Sequence, residues 1–319
     1  MKISMAMATY NGEKYIEKQL ESLNNQTRKI DEVIICDDCS KDNTVSIINT
    51  YIQKNHLNKW KCIVNTENLG FSENFRKAIS MTTGDVVFLC DQDDEWHKNK
   101  IEAMTQIMDT NPQIKLLASS IQIIDQDGNF VKVHSCPEWI KRLNKIESGT
   151  LVNIDFLDIC NRNYAPGCTM AITRDIIEAY LKRKKINHLP HDWFLALLAG
   201  CENGAYLINK SYVNYRVHGN NAIGTQKDFR VDNKTEQVRR LTQYRERLFL
   251  AKQSNYRNEK QLNCDITYIN NRIELYKNKS FFNWVKVVKS SRDVSIMGAK
   301  ISRVNLKDLL FCLNLIIKK

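Results

Sequence analysis

Five apolar runs of strand-forming residues alternate with four stretches of helical spacing in residues 1–125, and few folds accommodate that rhythm. "ISMAMATY" (3–10) precedes "GEKYIEKQLESLNNQ", in which Tyr15, Ile16, Leu20 and Leu23 recur at helical spacing. "EVIICDD" (32–38) leads into a stretch opened by the capping residues Ser40 and Asp42, and "KCIVNT" (61–66) into "NLGFSENFRKAISMT". "DVVFLCD" (85–91) and "KLLASSIQIID" (115–125) flank a fourth helical stretch. Such repetition predicts an α/β fold, a mostly parallel sheet covered by helices on both faces. Ligands of such sheets gather at the carboxyl ends of the strands.

Beyond Asp125 the rhythm breaks. "DQDG" predicts a turn, and residues 134–165 mix charges with isolated apolar residues, as an irregular region over a cleft would. "HDWFLALLAG" (191–200) predicts a buried helix ending at Gly200, and residues 205–218 one or two further strands. From Thr225 onward the pattern is helical, without an internal repeat or a low-complexity linker, which divides the chain into residues 1–224 and a helical region 225–319. Residues 225–319 hold 21 Lys and Arg against 9 Asp and Glu, so the formal charge of +11 resides in that stretch. A basic region beside a near-neutral body suits an anionic membrane, nucleic acid or an acidic partner.

With 319 residues, 43% of them hydrophobic, the chain can bury a sizeable core. Its most apolar run, "LLFCLNLII" (309–317), falls short of the ~20 residues of a membrane span. The opening apolar stretch ends at "TYNGEK", too early for a signal peptide. The ten cysteines are scattered singly, apart from Cys36 and Cys39. Asp37 and Asp38 between those two would raise their thiol pKa values and oppose a redox thiolate, and no second pair suggests zinc. The expectation is a cytosolic protein in a reducing compartment.

The motifs cluster at the strand ends: "TYNGEKY" after the first, "DDCSKDNT" after the second and "DQDDEW" after the fourth. Asp91, Asp93 and Asp94 would raise one another's pKa values by repulsion, so a cation is their natural partner. Carboxylates alone suit a hard ion, Mg²⁺ or Mn²⁺, which keeps room for phosphate oxygens. The structural alternative, an acidic cap for the helix beginning near Trp96 or Lys98, needs one aspartate; three ask for more.

Taken in order, "ATYNGEKYI", "QLESLNNQT", "IICDDCSKDNT", "NLGFSENF" and "FLCDQDDEW" resemble the opening half of the family-2 inverting glycosyltransferases of GT-A type. The resemblance is strong over about residues 1–125 and weaker over 160–224. It implies a Rossmann-like nucleotide-binding half in a catalytic domain of residues 1–224, followed by the helical extension. Thr9, Tyr10, Glu13 and Asp38 would line the nucleotide pocket, with Asp38 matching the carboxylate that reads the pyrimidine. For Tyr10 and Asp38 the structural alternatives are strand-end packing and a turn hydrogen bond. Asp91 and Asp93 match the DXD motif, which holds ribose and, through a divalent metal, the diphosphate. Whether Asp94 shares the metal stays open.

Downstream, the resemblance places the catalytic base at Asp192, where many relatives have Glu-Asp and this chain has His191-Asp192. The alternative for Asp192 is a helix cap, and for His191 a side chain supporting that carboxylate or a polar loop residue. In "YRVHGNN", Arg216 and His218 stand two apart on a strand and would face one side, suited to joint contact with the diphosphate or, for His218, the metal. The loop "GNNAIG" could close over a bound nucleotide.

"DQDD.W" with "YR.H..N" looks most like bacterial rhamnosyltransferases of O-antigen or capsule synthesis. The donor this implies is dTDP-L-rhamnose, with UDP-glucose, UDP-galactose and UDP-N-acetylglucosamine as alternatives, and the acceptor an oligosaccharide or lipid-linked saccharide. Rival readings are a non-catalytic sugar-nucleotide-binding or scaffold subunit and a nucleotidyltransferase, for which no Gly-rich phosphate loop is present. In the tail, Phe281, Trp284, Val285 and Val288 share a helical face with Lys286 and Lys289 elsewhere. That pattern fits peripheral contact of 280–319 with anionic lipid at the inner face of the membrane, and fits packing on the body equally well. No nucleic-acid motif accompanies the basic charge.

Overall fold

The computed structural model describes residues 1–131, 147–186, 188–219, 234–254, 256, 258–278, 280–291, 294, 308 and 311. The loop "GNNAIG" from Asn220 on, most of the irregular region's centre and most of residues 292–319 lie outside the described residues. Two compact units result, residues 1–154 with 163–225, and residues 155–162 with 226–319.

The first unit opens with β1 (Ile3–Thr9), α1 (Ile16–Asn24), β2 (Glu32–Asp37), α2 (Thr44–Lys54), β3 (Trp60–Val64), α3 (Phe71–Ser80) and β4 (Val86–Cys90). Strands β3, β2, β1 and β4 lie side by side in parallel, as the alternation requires. Every residue of β4 is buried, and so is nearly all of β1 and β2, which is why these strands read as apolar runs. Met5, Met7, Val33, Ile35 and Phe88 pack with Ile16 and Leu20 of α1 and with Ile48 of α2.

Past β4 the order departs from simple repetition. A two-residue strand, β5 (Glu95–Trp96), precedes α4 (Lys100–Thr110), β6 (Leu116–Ile124) and β7 (Leu151–Asn153). After a 3-10 turn at Gly167–Thr169 come β8 (Met170–Thr173), and then a helix Arg174–Leu181, a helix His191–Cys201 and β9 (Ala205–Arg216). Short β8 enters between β4 and β6 antiparallel to both, so the sheet is parallel in its first half and mixed beyond it. "DQDG" forms the expected turn, closed by a 3.1 Å bond from Gly128 N to Asp125 O. Residues 205–216 form one long strand, parallel to β6.

The second unit contains a short helix, α5 (Phe156–Asn161), which sequence reading placed with the irregular region. The helices Arg174–Leu181 and His191–Cys201 of the first unit are α6 and α7, and the second unit continues with α8 (Lys234–Lys252), α9 (Glu259–Lys277) and α10 (Phe281–Ser290). Leu241, Leu248, Leu262, Ile269 and Ile273 are buried within it, as is an ion pair of Arg272 with Asp308 at 2.8 Å, to which Tyr276 donates at 2.8 Å. α10 buries Val287 and half-buries Trp284, Val285 and Val288 of the face marked by the helical spacing, while Phe281 and Phe282 stand 61% and 67% exposed. Among the described residues no helix is long and apolar enough to cross a membrane.

Candidate active site

At the carboxyl ends of β1 and β2 the backbone is drawn into a cradle. Asp38 N donates to Thr9 O at 2.8 Å, and the Thr9 hydroxyl donates to Asp37 at 2.8 Å. The Asp38 carboxylate, 3% exposed, accepts from Asn65 Nδ2, Leu69 N and Gly70 N, each at 2.8 Å. Gly70 can close this turn because its φ of +77° is open to glycine. Glu13 accepts from the backbone and side chain of Asn43 at 3.0 and 2.9 Å, and Tyr10 stands 47% exposed. Tyr10 is tied to β4 through Gln92, whose amide accepts from Tyr10 N at 2.8 Å and donates to Tyr10 O at 3.0 Å. A Cβ on Gly12 would stand 2.3 Å from Gln92 Oε1, so only glycine admits this bridge. The four residues expected at the nucleotide pocket therefore gather at one strand edge, with Tyr10 and Glu13 open to ligand and Thr9 and Asp38 engaged in the cradle.

The acidic loop after β4 is built differently. Asp91 is half-buried and Asp94 fully buried, and one oxygen of each lies within 4.8 Å of the other and of Cys168 Sγ. Burial, then Asp93 and then Asp192, push the Asp91 carboxyl up to about 7. Burial, Asp93 and Asp91 push Asp94 well above the carboxylate range. Asp94 accepts from Arg216 N at 3.1 Å through Oδ1, while its Oδ2 is buried with no hydrogen-bond partner of normal length, the Cys168 thiol being the polar group beside it. Asp93 meets His218 Nε2 at 2.8 Å, and the His218 ring lies 4.9 Å from that of Tyr15.

Arg216 departs from expectation. Its side chain has no exposure, and its guanidinium donates to Asp93 O at 2.8 Å, to Asp125 O at 3.1 Å, to Gln126 O at 3.3 Å and to Glu95. It also lies 4.9 Å from the Tyr15 ring. A guanidinium so surrounded anchors the acidic loop to β9, in place of the diphosphate contact that the strand spacing suggested. Neighbouring Glu95, in β5, is the anchor's anionic partner.

Lys100, which no sequence motif singles out, is a further cation within the field of Asp91 and Asp94. It is fully buried, donates to Cys168 O and stands 3.3 Å from the Trp96 ring centroid. Burial lowers its pKa to about 8, opposed by Cys168, Cys90, Asp94 and Asp91. A lysine opening a helix works against the helix dipole, and that was the one signal of a special role.

Asp192 enters from α7. It is 9% exposed and accepts from Trp193 N at 2.6 Å and from Asn163 Nδ2 at 2.8 Å. Burial nevertheless pushes it up to about 6, and it is among the charges raising Asp91, so the fold brings two carboxylates a hundred residues apart into one field. His191 is buried and stacks on Phe75 with centroids 4.1 Å apart, so it is neither the polar loop residue nor the partner of Asp192 expected from the sequence. Asn163 bonds Asp192 instead.

A divalent cation fits these residues. Asp94 Oδ2 lacks a partner and the carboxyls of Asp91 and Asp94 are held above their normal range, a cost that a hard ion would offset. Cys168, a soft ligand whose thiol burial pushes up strongly, adds little for Mg²⁺ or Mn²⁺.

The family model "Glycosyl transferase family 2" matches residues 4–181, more than half of the chain. The dTDP-rhamnosyl transferase RfbG of Shigella flexneri is 29% identical over 242 residues, 72% of this chain and 77% of its own length. An uncharacterized glycosyltransferase of Methanocaldococcus jannaschii is 34% identical over 132 residues, 41% of this chain, and the match spans only 45% of that relative. Among solved structures, Staphylococcus aureus TarS 1–349 in complex with UDP is 17% identical with a TM-score of 0.63, covering 99% of this chain and 89% of that one. A Pyrobaculum calidifontis mannosyltransferase in complex with GDP-Man and Mn²⁺ is 14% identical with a TM-score of 0.54, covering 98% and 80%. At such identities the likeness shows the fold, which is of GT-A type.

Proposed function

Because the chain belongs to glycosyl transferase family 2, we propose that it is an inverting transferase moving a sugar from a nucleotide-diphosphate donor to a saccharide hydroxyl. The observation that carries this reading is Asp192, a carboxylate held near pH 6 by burial and placed in the field of Asp91. Asp192 takes the acceptor's hydroxyl proton as that oxygen attacks the anomeric carbon. The bond from that carbon to the diphosphate breaks on the opposite face, and its electron pair leaves with the diphosphate. Asn163 and the Trp193 amide hold the carboxylate in place during the step. Asp91 and Asp93, with His218 behind Asp93 and the unpartnered Asp94 Oδ2 beside Asp91, would hold a Mg²⁺ or Mn²⁺ ion, which supplies positive charge for the diphosphate. Tyr10 and Glu13 face the nucleotide, and Thr9 and Asp38 shape its cradle.

The first donor is dTDP-L-rhamnose, supported by the Shigella flexneri relative's name over most of both chains. UDP-glucose, UDP-galactose and UDP-N-acetylglucosamine are the alternatives, and the product is part of a cell-surface polysaccharide of O-antigen or capsule type. Transfer or hydrolysis with these four donors, with and without Mn²⁺, decides the matter: release of dTDP from dTDP-L-rhamnose is expected, and no turnover of any donor with lipid-linked acceptors would sink the enzymatic reading. A scaffold role is favoured instead if Asp192→Asn leaves transfer by the assembled system intact.

A membrane-facing acceptor is supported by Phe281 and Phe282, exposed on a helix that also carries Lys286 and Lys289. Flotation with anionic vesicles, compared between the full chain and Phe281→Ser/Phe282→Ser, tests this contact at the inner face of the membrane; equal recovery of both removes α10 from the proposal.

A further inference from the structure

Backbone pairing of β1 with β4 runs from Ile3 and Val86 as far as Met7 and Cys90, and ends there. On its other edge β1 stays paired with β2 as far as Thr9 and Asp37, and the bond from Asp38 N to Thr9 O prolongs that ladder. The chain beyond is fixed to the same side: Asn11 N donates to Ser40 Oγ at 2.8 Å, Gly12 N to Thr44 Oγ1 at 2.7 Å and Glu13 N to Asp42 at 3.1 Å. Towards β4, both peptide groups of Tyr10 are met by one side chain. Gln92 Oε1 accepts from Tyr10 N at 2.8 Å, and Gln92 Nε2 donates to Tyr10 O at 3.0 Å. A primary amide offers an acceptor and a donor side by side, so Gln92 exchanges with Tyr10 the two bonds that a residue of a neighbouring strand would.

The room for this bridge is kept by Gly12. A Cβ there would stand 2.3 Å from Gln92 Oε1 and 2.6 Å from its Cδ. Gly12 has no positive φ that would demand glycine, so the amide's space is what a side chain would take. Gln92 also lies between Asp91 and Asp93 in the chain, so holding its amide at two points restrains the backbone that carries both carboxylates. Tyr10, 47% exposed, and Glu13 open towards a ligand on one side of the bridge, and the acidic loop on the other. A nucleoside diphosphate is a ligand with two ends. Its affinity exceeds that of its halves only as far as the two ends of the site are held at the matching separation, since slack between them lowers the effective concentration of the second end.

We propose that Gln92 is a positioning residue that holds the nucleoside half and the metal-diphosphate half of the site at one separation, so that its loss weakens binding of the whole nucleotide and of neither half. The inference rests on the nucleotide-donor reading of this strand edge. Gln92 touches Tyr10 alone in this role, and acts on the ligand through the two stretches of chain that it joins.

The test uses the full chain and three variants: Gln92→Ala, which removes the amide, Gly12→Ala, which evicts it while leaving the glutamine in the sequence, and the two combined. Calorimetry with dTDP and with UDP, each in Mn²⁺, reads the whole ligand. Saturation-transfer NMR with thymidine and uridine reads one half, and calorimetry with pyrophosphate in Mn²⁺ the other. Each single variant is expected to bind the parent's nucleotide about tenfold more weakly and the separate halves within about twofold of the parent. The combined variant should bind no more weakly than either single one, because both remove the same bridge. Unchanged binding of the whole nucleotide in both single variants overturns the proposal. So does a loss shared equally by the halves, which would make Gln92 a brace of the fold, and so do additive losses in the combined variant, which would make the two positions independent. If Gln92→Ala fails to fold, Gly12→Ala decides alone. A parent that binds neither nucleotide overturns the donor reading and this inference together, whereas a parent that binds one, with both single variants unchanged, overturns the inference alone.

Discussion

At the carboxyl end of β2, Asp38 lies under three donors at 2.8 Å, whereas at the end of β4 Asp94 keeps an oxygen with none. Both carboxylates are buried, both belong to one sheet edge, and only their surroundings differ. The β2 end is complete as folded: Asn65, Asn74 and the Leu69 and Gly70 amides satisfy one another and Asp38. The β4 end is left short of positive charge, with Asp91 pushed to about 7 and Asp94 held well above the usual carboxylate value by burial and its acidic neighbours, although Lys100 and Arg216 are packed into it. A polar cluster satisfied internally is shape; one left in deficit is a binding site.

That contrast can be broken most forcefully at the deficit end. Asp192→Asn should lower single-turnover transfer about 10³-fold while leaving donor affinity within about twofold, because only the proton acceptor is removed. In the parent, the acid limb of the pH–rate profile should follow the base's ionisation at about 6. Next in size is Arg216→Met. Removing the buried guanidinium strands Glu95 and three carbonyls, and urea unfolding should show a loss of about 3–5 kcal/mol. If stability barely moves, the anchoring role assigned to Arg216 is wrong, and the diphosphate contact returns.

Asp38→Ala tests the satisfied end. It removes the shared acceptor of Asn65 Nδ2 and of the Leu69 and Gly70 amides, and a loss of about 1–3 kcal/mol is expected in the same measurement, with weaker nucleotide binding as the cradle opens. The smallest effect has the opposite sign. Asp94→Asn should stabilise the metal-free protein by on the order of 1 kcal/mol, since the amide keeps the bond to Arg216 N and removes a charge held against its preference. Linkage gives the same sign. Asp91 and Asp192 have folded pKa values of about 7 and 6, above the ~4 of an unfolded carboxyl, so their protonated forms favour the fold. The metal-free melting temperature should therefore be highest near pH 4 and fall as pH rises towards 7, less steeply in Asp94→Asn. Added Mn²⁺ should recover more of that loss in the parent than in the variant. Equal slopes and equal recovery would mean that Asp94 is as well satisfied as Asp38.

The satisfied end was the more legible one in the sequence. Its strands alternate with helices at short range, and Thr9 and Glu13 precede their partners by about thirty residues. Asp91, Asp93 and Asp192 were visible as charge where a strand or a helix should begin or end. Arg216 was misread because strand periodicity states which side a residue faces and nothing about what fills that side. Lys100 and Asn163 were missed because burial of a lysine, or of an amide's partner, is decided by β8, which arrives antiparallel out of the irregular region. His191 looked polar and turned out to be a core ring, a distinction that only its stack on Phe75 makes.

The anchoring of the acidic loop by Arg216 also sets an order of assembly. The bonds of the nucleotide cradle to Asp38 span 27 to 32 residues, so it can close from one neighbourhood of the chain. The tie from Arg216 N to Asp94 spans 122 residues and exists only once β9 has joined β6. Closing so long a loop costs chain entropy before any contact rewards it, so these contacts form late in folding. During synthesis the cradle at the β2 end can therefore ripen while the acidic loop is still unmade, and the proposed capture of a diphosphate would wait for the chain to be finished through Arg216.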